Sequence, residues 1–315
     1  MGMLDGKSAI ITGAGRGLGF EEAKLMAKEG CNLLINDLGA SFDGSGSETK
    51  VADQVVEEIK KFGVKAVANY DSVTDFNKAK AMVEQAVSEF GKLDILVNNA
   101  GILRDRMIFN MTEAEFDDVV AVHLKGTFNM TRHAAEYFRA EVKTNEKLGN
   151  FGRIINTASD AGLLGNMGQS NYGAAKAGIA AFTNIVAMEL KKYATVNCIV
   201  PVARTRLTTD ATPKMIDTMK KLDNRGYDVF APVNVAPMVA FLASDEASKI
   251  TGEFFRVVGD RVASLIGWHT HKWINNDGER FTPQILAERV KKELLKGKPA
   301  KETFIGVFSA LGLDM

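Results

Sequence analysis

Lys7 to Thr12 has the character of a buried strand and runs straight into a turn with glycine at 13, 15, 17 and 19. A helical pattern runs from Phe20 to Glu29 and is closed by Gly30. Strand, glycine turn, helix is the arrangement that most limits what this chain can fold into. Glycine lets the backbone reverse tightly and lie close to a pyrophosphate, and the helix N-terminus presents unpaired N–H groups and the positive end of its dipole. A tight connection with no ligand would use the same turn, so its meaning depends on the rest of the chain. Strand Cys31–Asn36, helix 48–62, strand 64–69, helix 75–90 and strand 93–97 continue the alternation. Strands alternating with helices build βαβ units, and hence an α/β fold with a doubly wound, mainly parallel sheet covered on both faces.

The second strand ends in Asp37, eighteen residues past Gly19. An acid at about that distance meets the ribose hydroxyls of an adenosine dinucleotide. Its charge repels a 2′-phosphate and argues for NAD over NADP, while Arg16 in the turn is a signal in the opposite direction. Gly39 to Ser47 reads as an exposed loop. Asp71, just past the third strand, is placed either to reach an adenine or to lead the next helix.

Further along, Ser159, Tyr172 and Lys176 form a possible reaction centre. On a helix, residues four apart share a face, so the Lys176 ammonium and Tyr172 phenol would lie together. A free phenol has a pKa near ~10, and a neighbouring cation lowers it. Such a tyrosine would exchange protons with an alcohol or carbonyl oxygen, with Ser159 donating a hydrogen bond to the same atom. Taken alone the spacing is common, and a surface helix with a tyrosine at its edge fits it equally well.

The order of motifs decides between these readings. Thr12 with the glycine turn, Asn98-Asn-Ala-Gly101, Ser159 and Tyr172-x-x-x-Lys176 together resemble the short-chain dehydrogenase/reductase family over roughly residues 5–260. Asn36-Asp-Leu-Gly39, residues 67–73, residues 98–106 and Gly165-Asn-Met-Gly-Gln169 narrow the likeness. They resemble the (R)-3-hydroxyacyl-CoA dehydrogenase units of type 2 multifunctional enzymes, and bacterial hydroxyacyl-CoA or 17β-hydroxysteroid dehydrogenases. The resemblance implies a Rossmann fold with a seven-stranded sheet and a dehydrogenase domain over 1–260, with 261–315 as an extension packed on it. It implies Ser159, Tyr172 and Lys176 as the catalytic set. It implies that NAD is held by Gly13, Arg16, Gly17, Leu18, Gly19, Asp37, Asp71, Ser72, Asn99, Ala100, Gly101, Tyr172, Lys176 and Thr205. Where the family carries an asparagine that completes a proton relay, this chain has His123, which fits both a relay and simple packing. Val202 stands where a glycine usually succeeds Pro201. The substrate implied is a 3-hydroxyacyl-CoA, with Arg104, Arg106, Lys214, Lys220, Lys221 and Arg225 as a basic rim and Met215 and Met219 as apolar lining. A hydroxysteroid is the rival.

Composition excludes other classes. Thirty-nine basic and 39 acidic residues leave no net charge, so nothing argues for a nucleic-acid partner. No apolar run approaches the ~18 residues of a membrane span. Cys31 and Cys198 each sit in an apolar run, as free thiols in a reducing, cytoplasmic setting. His269 and His271 lack companions at metal-ligand spacing. The small-residue helix from Ser170 to Lys192 suggests a homodimer or homotetramer. Thr282-Pro283 opens a last helix running to about Leu295, ended by Gly297. A dinucleotide sensor without activity and a Rossmann-like methyltransferase share the glycine turn; the Ser159, Tyr172, Lys176 set speaks against the first, and Asn98-Asn-Ala-Gly101 with Tyr172 and Lys176 against the second.

Overall fold

The computed structural model describes residues 2–46, 50–205, 219, 226–298, 300–303, 306–307 and 309. The chain divides into a unit ending at Ser264 and a second from Leu265 onward.

In the first unit the strands are β1 (Ser8–Thr12), β2 (Asn32–Asn36), β3 (Ala66–Asn69), β4 (Ile95–Asn98), β5 (Gly152–Thr157), β6 (Ala194–Pro201), β7 (Phe254–Val258) and β8 (Arg261–Ser264). They form one sheet in the order β3-β2-β1-β4-β5-β6-β7-β8. The first seven are parallel, as expected, and β8 adds an antiparallel hairpin partner to β7. The sheet thus continues past residue 260, because the turn at Gly259 brings Arg261 back opposite Val258.

The helices are α1 (Gly17–Lys28), α2 (Lys50–Lys60), α3 (Phe76–Phe90), α4 (Glu113–Val120), α5 (Gly126–Thr144), α6 (Asp160–Leu163), α7 (Ser170–Glu189) and α8 (Ala236–Ala243). Their start signals are local. Asp75 accepts from the N–H groups of Asn77 and Lys78, and Thr112 with Glu115 forms a reciprocal capping box. One turn of π-helix, Ala121–Lys125, joins α4 to α5.

Successive strand residues point to opposite faces, which separates the core into two layers. Ala9, Ile11, Leu33, Ile35, Val97 and Ile155 pack with Ala23 and Met26 of α1, Val55 and Ile59 of α2, and Val239 of α8. Ile10, Leu34, Leu96, Ile154 and Val196 pack on the other side with Met82 of α3, Phe138 of α5 and Val186 of α7. Strands buried on both faces need no polar alternation, which is why they read in the sequence as short apolar runs.

The second unit holds α9 (Pro283–Arg289), which continues through a π turn, Val290–Leu294. Thr282 caps it by accepting from the Ile285 N–H, and Arg289 pairs with Glu293 at 2.7 Å, matching the helix expected from Thr282-Pro283.

Candidate active site

In a doubly wound sheet, ligands bind beyond the carboxyl ends of the strands, where the strand order reverses. Here that point lies between β1 and β4, and the candidate residues gather there.

The turn between β1 and α1 is shaped to receive a backbone or phosphate at close range. Gly13 has φ +65°, and a Cβ there would lie 2.8 Å from the Ala100 Cα. A Cβ on Gly19 would lie 2.5 Å from the Gly13 carbonyl oxygen. Thr12 locks the turn to the β4 loop, since its hydroxyl accepts from the N–H groups of Asn99 and Ala100, each at 3.1 Å. Asn99 returns two bonds from its side-chain amide, to the carbonyls of Thr12 (3.1 Å) and Gly13 (3.0 Å). Arg16 occupies the N-cap position of α1 with an extended backbone, and no side chain caps the helix there. The first N–H groups of α1, beginning at Gly17 and Leu18, therefore face the turn.

Asp37 sits beside this cradle. Its carboxylate accepts from the Gly15 N–H at 2.8 Å and the Gly39 N–H at 2.7 Å. Asp71 and Ser72 lie just past β3. Asp71 pairs with Lys78 at 3.2 Å, its N–H donates to Asn69, and the Ser72 and Thr74 hydroxyls lie 2.9 Å apart. Thr205 reaches the glycine turn as well, for its Cγ2 lies 3.7 Å from where a Cβ on Gly17 would be. The cradle, the open helix end and the carboxylate at the end of β2 suit a dinucleotide, which the residues named here would hold.

The loop after β2 is exposed at Ser41 and from Gly44 to Gly46, as expected. It also docks on the β4 loop: Leu103 N–H donates to the Phe42 carbonyl, and Arg104 Nε to the Asp43 carbonyl, both at 3.0 Å. Because β1 lies between β2 and β4, this segment crosses above the carboxyl end of β1.

Ser159 ends the extended stretch after β5, and its hydroxyl oxygen accepts from the Ala161 N–H at 3.2 Å. Tyr172 and Lys176 lie one turn apart on α7, as the spacing predicts. The Lys176 ammonium is buried and donates to the Thr157 carbonyl at 2.5 Å, with its nitrogen 5.6 Å from the centre of the Tyr172 ring. Burial pulls Lys176 down to about 8. Burial also pushes the Tyr172 phenol up to about 12; a hydrogen bond with Ser159 acts against this rise, and the Asp105 charge adds to it. Desolvation penalises the phenolate more than its neighbours relieve it.

His123 lies on the π turn and is 2% exposed. Its Nε2 is 2.8 Å from the Ile102 carbonyl oxygen and 3.1 Å from the Ile102 amide nitrogen. Burial, with the Lys176 charge, lowers it to about 3, so the ring is neutral at physiological pH.

Four residues near Tyr172 carried no readable signal as site residues. Gln169 donates to the Asp105 carboxylate at 2.7 Å, and Asn171 donates to the carbonyls of Arg104 and Glu115. Asp160, next to Ser159, is ion-paired with the distant Arg256. Of the expected basic rim, Arg104 is paired with Asp118 at 3.1 Å and Arg106 with Glu115 at 2.7 Å, so neither is an uncommitted cation. Lys214, Met215, Lys220, Lys221 and Arg225 lie outside the described residues. Met219 is 2% exposed, and its carbonyl accepts from Arg204 at 2.5 Å.

Comparison with known proteins supplies the family. Residues 7–216 match the family model described as short chain dehydrogenase. The chain is 39% identical over 302 residues to a hydroxyacyl-CoA dehydrogenase, ChsB1, of Mycobacterium tuberculosis, covering 96% of this chain and 92% of that one. It is 42% identical over 287 residues to the peroxisomal hydratase-dehydrogenase-epimerase of Neurospora crassa, covering 91% of this chain and 30% of that protein, so it spans under a third of that relative's length. A crystal structure of a short chain dehydrogenase from Mycobacterium avium, 44% identical, superposes with a TM-score of 0.82 over 95% of this chain and 98% of that one. The chain belongs to the short chain dehydrogenase family.

Proposed function

We propose that this chain interconverts a secondary alcohol and a ketone with NAD as cofactor, and that its substrate is a 3-hydroxyacyl-CoA. The observation that carries the reaction is the convergence of Ser159, Tyr172 and Lys176 beside a dinucleotide-type cradle. In the reducing direction Tyr172 gives its phenolic proton to the carbonyl oxygen, which Ser159 holds by a hydrogen bond. In the oxidising direction the phenolate takes the hydroxyl proton back. Lys176, anchored on Thr157, keeps positive charge beside the ring and stabilises that phenolate. The bound nicotinamide supplies or accepts the hydride. Asp37 favours NAD, because its carboxylate repels a 2′-phosphate and leaves lone pairs for ribose hydroxyls.

The acyl-CoA reading rests on the relatives at about 40% identity, one of which is a hydroxyacyl-CoA dehydrogenase along nearly its whole length. One observation favours a bulky apolar alcohol instead: Arg104 and Arg106 are already neutralised by Asp118 and Glu115. Nearby, Ile108 and Phe109 are strongly exposed apolar side chains. Absorbance at 340 nm separates the two. A 3-hydroxyacyl-CoA should be oxidised with NAD, and free coenzyme A should compete with it. Efficient oxidation of a steroid alcohol, with coenzyme A neither binding nor inhibiting at millimolar concentration, would replace the thioester by the steroid.

We also infer a homodimer or homotetramer, since α7 carries an exposed stripe of Ala181, Ile185 and Met188 at helical spacing. The buried free thiols of Cys31 and Cys198 suit a reducing compartment such as the cytoplasm. No helix among the described residues is long and apolar enough to cross a membrane.

A further inference from the structure

We propose that Asp160 and Arg256 are positioning residues that fix Ser159 against Tyr172; the proposal rests on the alcohol–ketone reading above. Ser159 leads into α6, a helix of four residues. One helical turn has no stability of its own, so its direction must be imposed from outside. Two contacts impose it. Gly162 is pressed on α7, where a Cβ would lie 2.5 Å from the Ala177 nitrogen and 2.8 Å from the Lys176 carbonyl carbon. Asp160 Oδ1 accepts from Arg256 Nε at 3.0 Å and Nη2 at 2.6 Å. Both side chains are buried, with Asp160 3% and Arg256 7% exposed.

Arg256 stands on β7, and β6 lies between β7 and β5, so the guanidinium reaches across a strand to grip the residue next to Ser159. Buried ion pairs are seldom kept for stability alone, since apolar residues of similar volume often pack as well. A guanidinium fork closing on one carboxylate oxygen adds direction, which simple packing does not. Together the two contacts hold α6 to the sheet and to the helix that bears Tyr172 and Lys176.

The consequence is chemical. Tyr172 is faced by Ser159 from α6, Lys176 from its own helix, His123 from the π turn and Asp105 from the β4 loop. Of these, only Ser159 depends on the clamp, and its hydrogen bond is the one that lowers the phenol. Loosening the clamp should leave the cofactor cradle intact, weaken that bond and raise the phenol.

The test uses Arg256→Lys, which keeps the charge and loses the fork, and Asp160→Asn, which keeps an acceptor and loses the charge. Each is made in the wild-type and the Ser159→Ala background. We expect NADH affinity, read by fluorescence, to stay within about twofold. The oxidation kcat should fall at least tenfold in the wild-type background and its alkaline limb should move to higher pH. In the Ser159→Ala background the same changes should cost less than twofold, because residues acting through one group are not additive. A lower melting temperature with unchanged kcat per NADH-binding site would overturn the proposal, as would losses that multiply in the Ser159→Ala background. If one variant does not fold, the other decides. A wild type inactive on every alcohol would sink the reaction reading instead. The clamp would then be judged by ultraviolet titration of Tyr172, where an unchanged midpoint in both variants rejects it.

Discussion

The His123 and Tyr172 rings meet in a T-shaped contact, with centroids 5.0 Å apart and planes at 81°. Its Nε2 faces both the carbonyl and the N–H of Ile102, and one nitrogen of a neutral ring cannot donate and accept together. The shorter contact, to the carbonyl, assigns the proton to Nε2. Nδ1, buried and with no partner among the described residues, is then an acceptor. An asparagine amide would offer Ile102 a donor and an acceptor on separate atoms. His123→Asn should therefore keep kcat within about tenfold, and the pH–rate profile from pH 5 to 9 should carry no limb from residue 123 in either protein, since burial holds the imidazole at about 3. An imidazole that titrates near its ordinary value by NMR would refute this.

Tyr172→Phe keeps the ring and removes the exchangeable proton. Turnover should fall at least ~10²-fold, the lower end for loss of an acid or base, while NADH binding changes little. In the free protein the phenol lies at about 12, raised by burial. A positive charge placed beside it favours the phenolate. Adding oxidised cofactor should thus lower the midpoint of the Tyr172 titration, read as the ultraviolet difference between wild type and Tyr172→Phe. In oxidation the phenolate is the active form, so the rate should climb as pH rises toward that midpoint. A rate that falls over the same range, or near-native turnover by Tyr172→Phe, would reject the assignment.

On the reading proposed above, cofactor choice should be set at the end of β2. Asp37 already bonds the N–H groups of Gly15 and Gly39, so its position is fixed before any ribose arrives. Wild type should give a higher kcat/KM with NAD than with NADP, and Asp37→Asn should narrow that ratio by removing the repelling charge. A preference for NADP in the wild type would show that Arg16 outweighs Asp37.

Glu22 is fully buried on α1, with neither carboxylate oxygen partnered among the described residues. Burial raises its folded-state value from 4.5 to about 8. The folded protein therefore holds a proton there that the unfolded chain releases, and the associated stability is present below 4.5 and lost as pH rises through 8. The full effect is on the order of 5 kcal/mol. Melting temperatures from pH 5 to 8 should fall more for wild type than for Glu22→Gln, with the variant the more stable at the upper end. Parallel curves would mean that the carboxyl has a partner or reaches water.

The fold was readable because its signals are local. Apolar runs of strand length, the glycine turn and the Thr282-Pro283 helix start each lie within a few residues of what they determine. The nearness of Tyr172 to Lys176 was readable for a similar reason, since the two share one helix. What escaped depends on distant partners. Arg256 meets Asp160 across 96 residues, and Arg104 finds Asp118 only once α4 folds back on the β4 loop. Protonation escaped too, because the rise of Tyr172 comes from burial, which no spacing along the chain encodes.

Association should run through the face formed by α5 and α7. Ala181, Ile185 and Met188 succeed one another at i, i+4 and i+7, so they form one stripe. Met188 is 72% exposed and Ile185 51%, and Phe128 of α5, ring-stacked edgewise on Phe182 of α7, is 43% exposed. The small residues earlier on α7, Ala174 and Ala177 among them, let a second helix approach closely. A charge set in such a stripe must be desolvated if it is covered and costs little if it is open to water. Light scattering at micromolar concentration should give wild type a mass two or four times that of the chain. Met188→Lys should reduce that mass without lowering the melting temperature of the isolated subunit. A wild type that scatters as a monomer, or a Met188→Lys variant that assembles as well as wild type, would show that this face is an ordinary solvated surface.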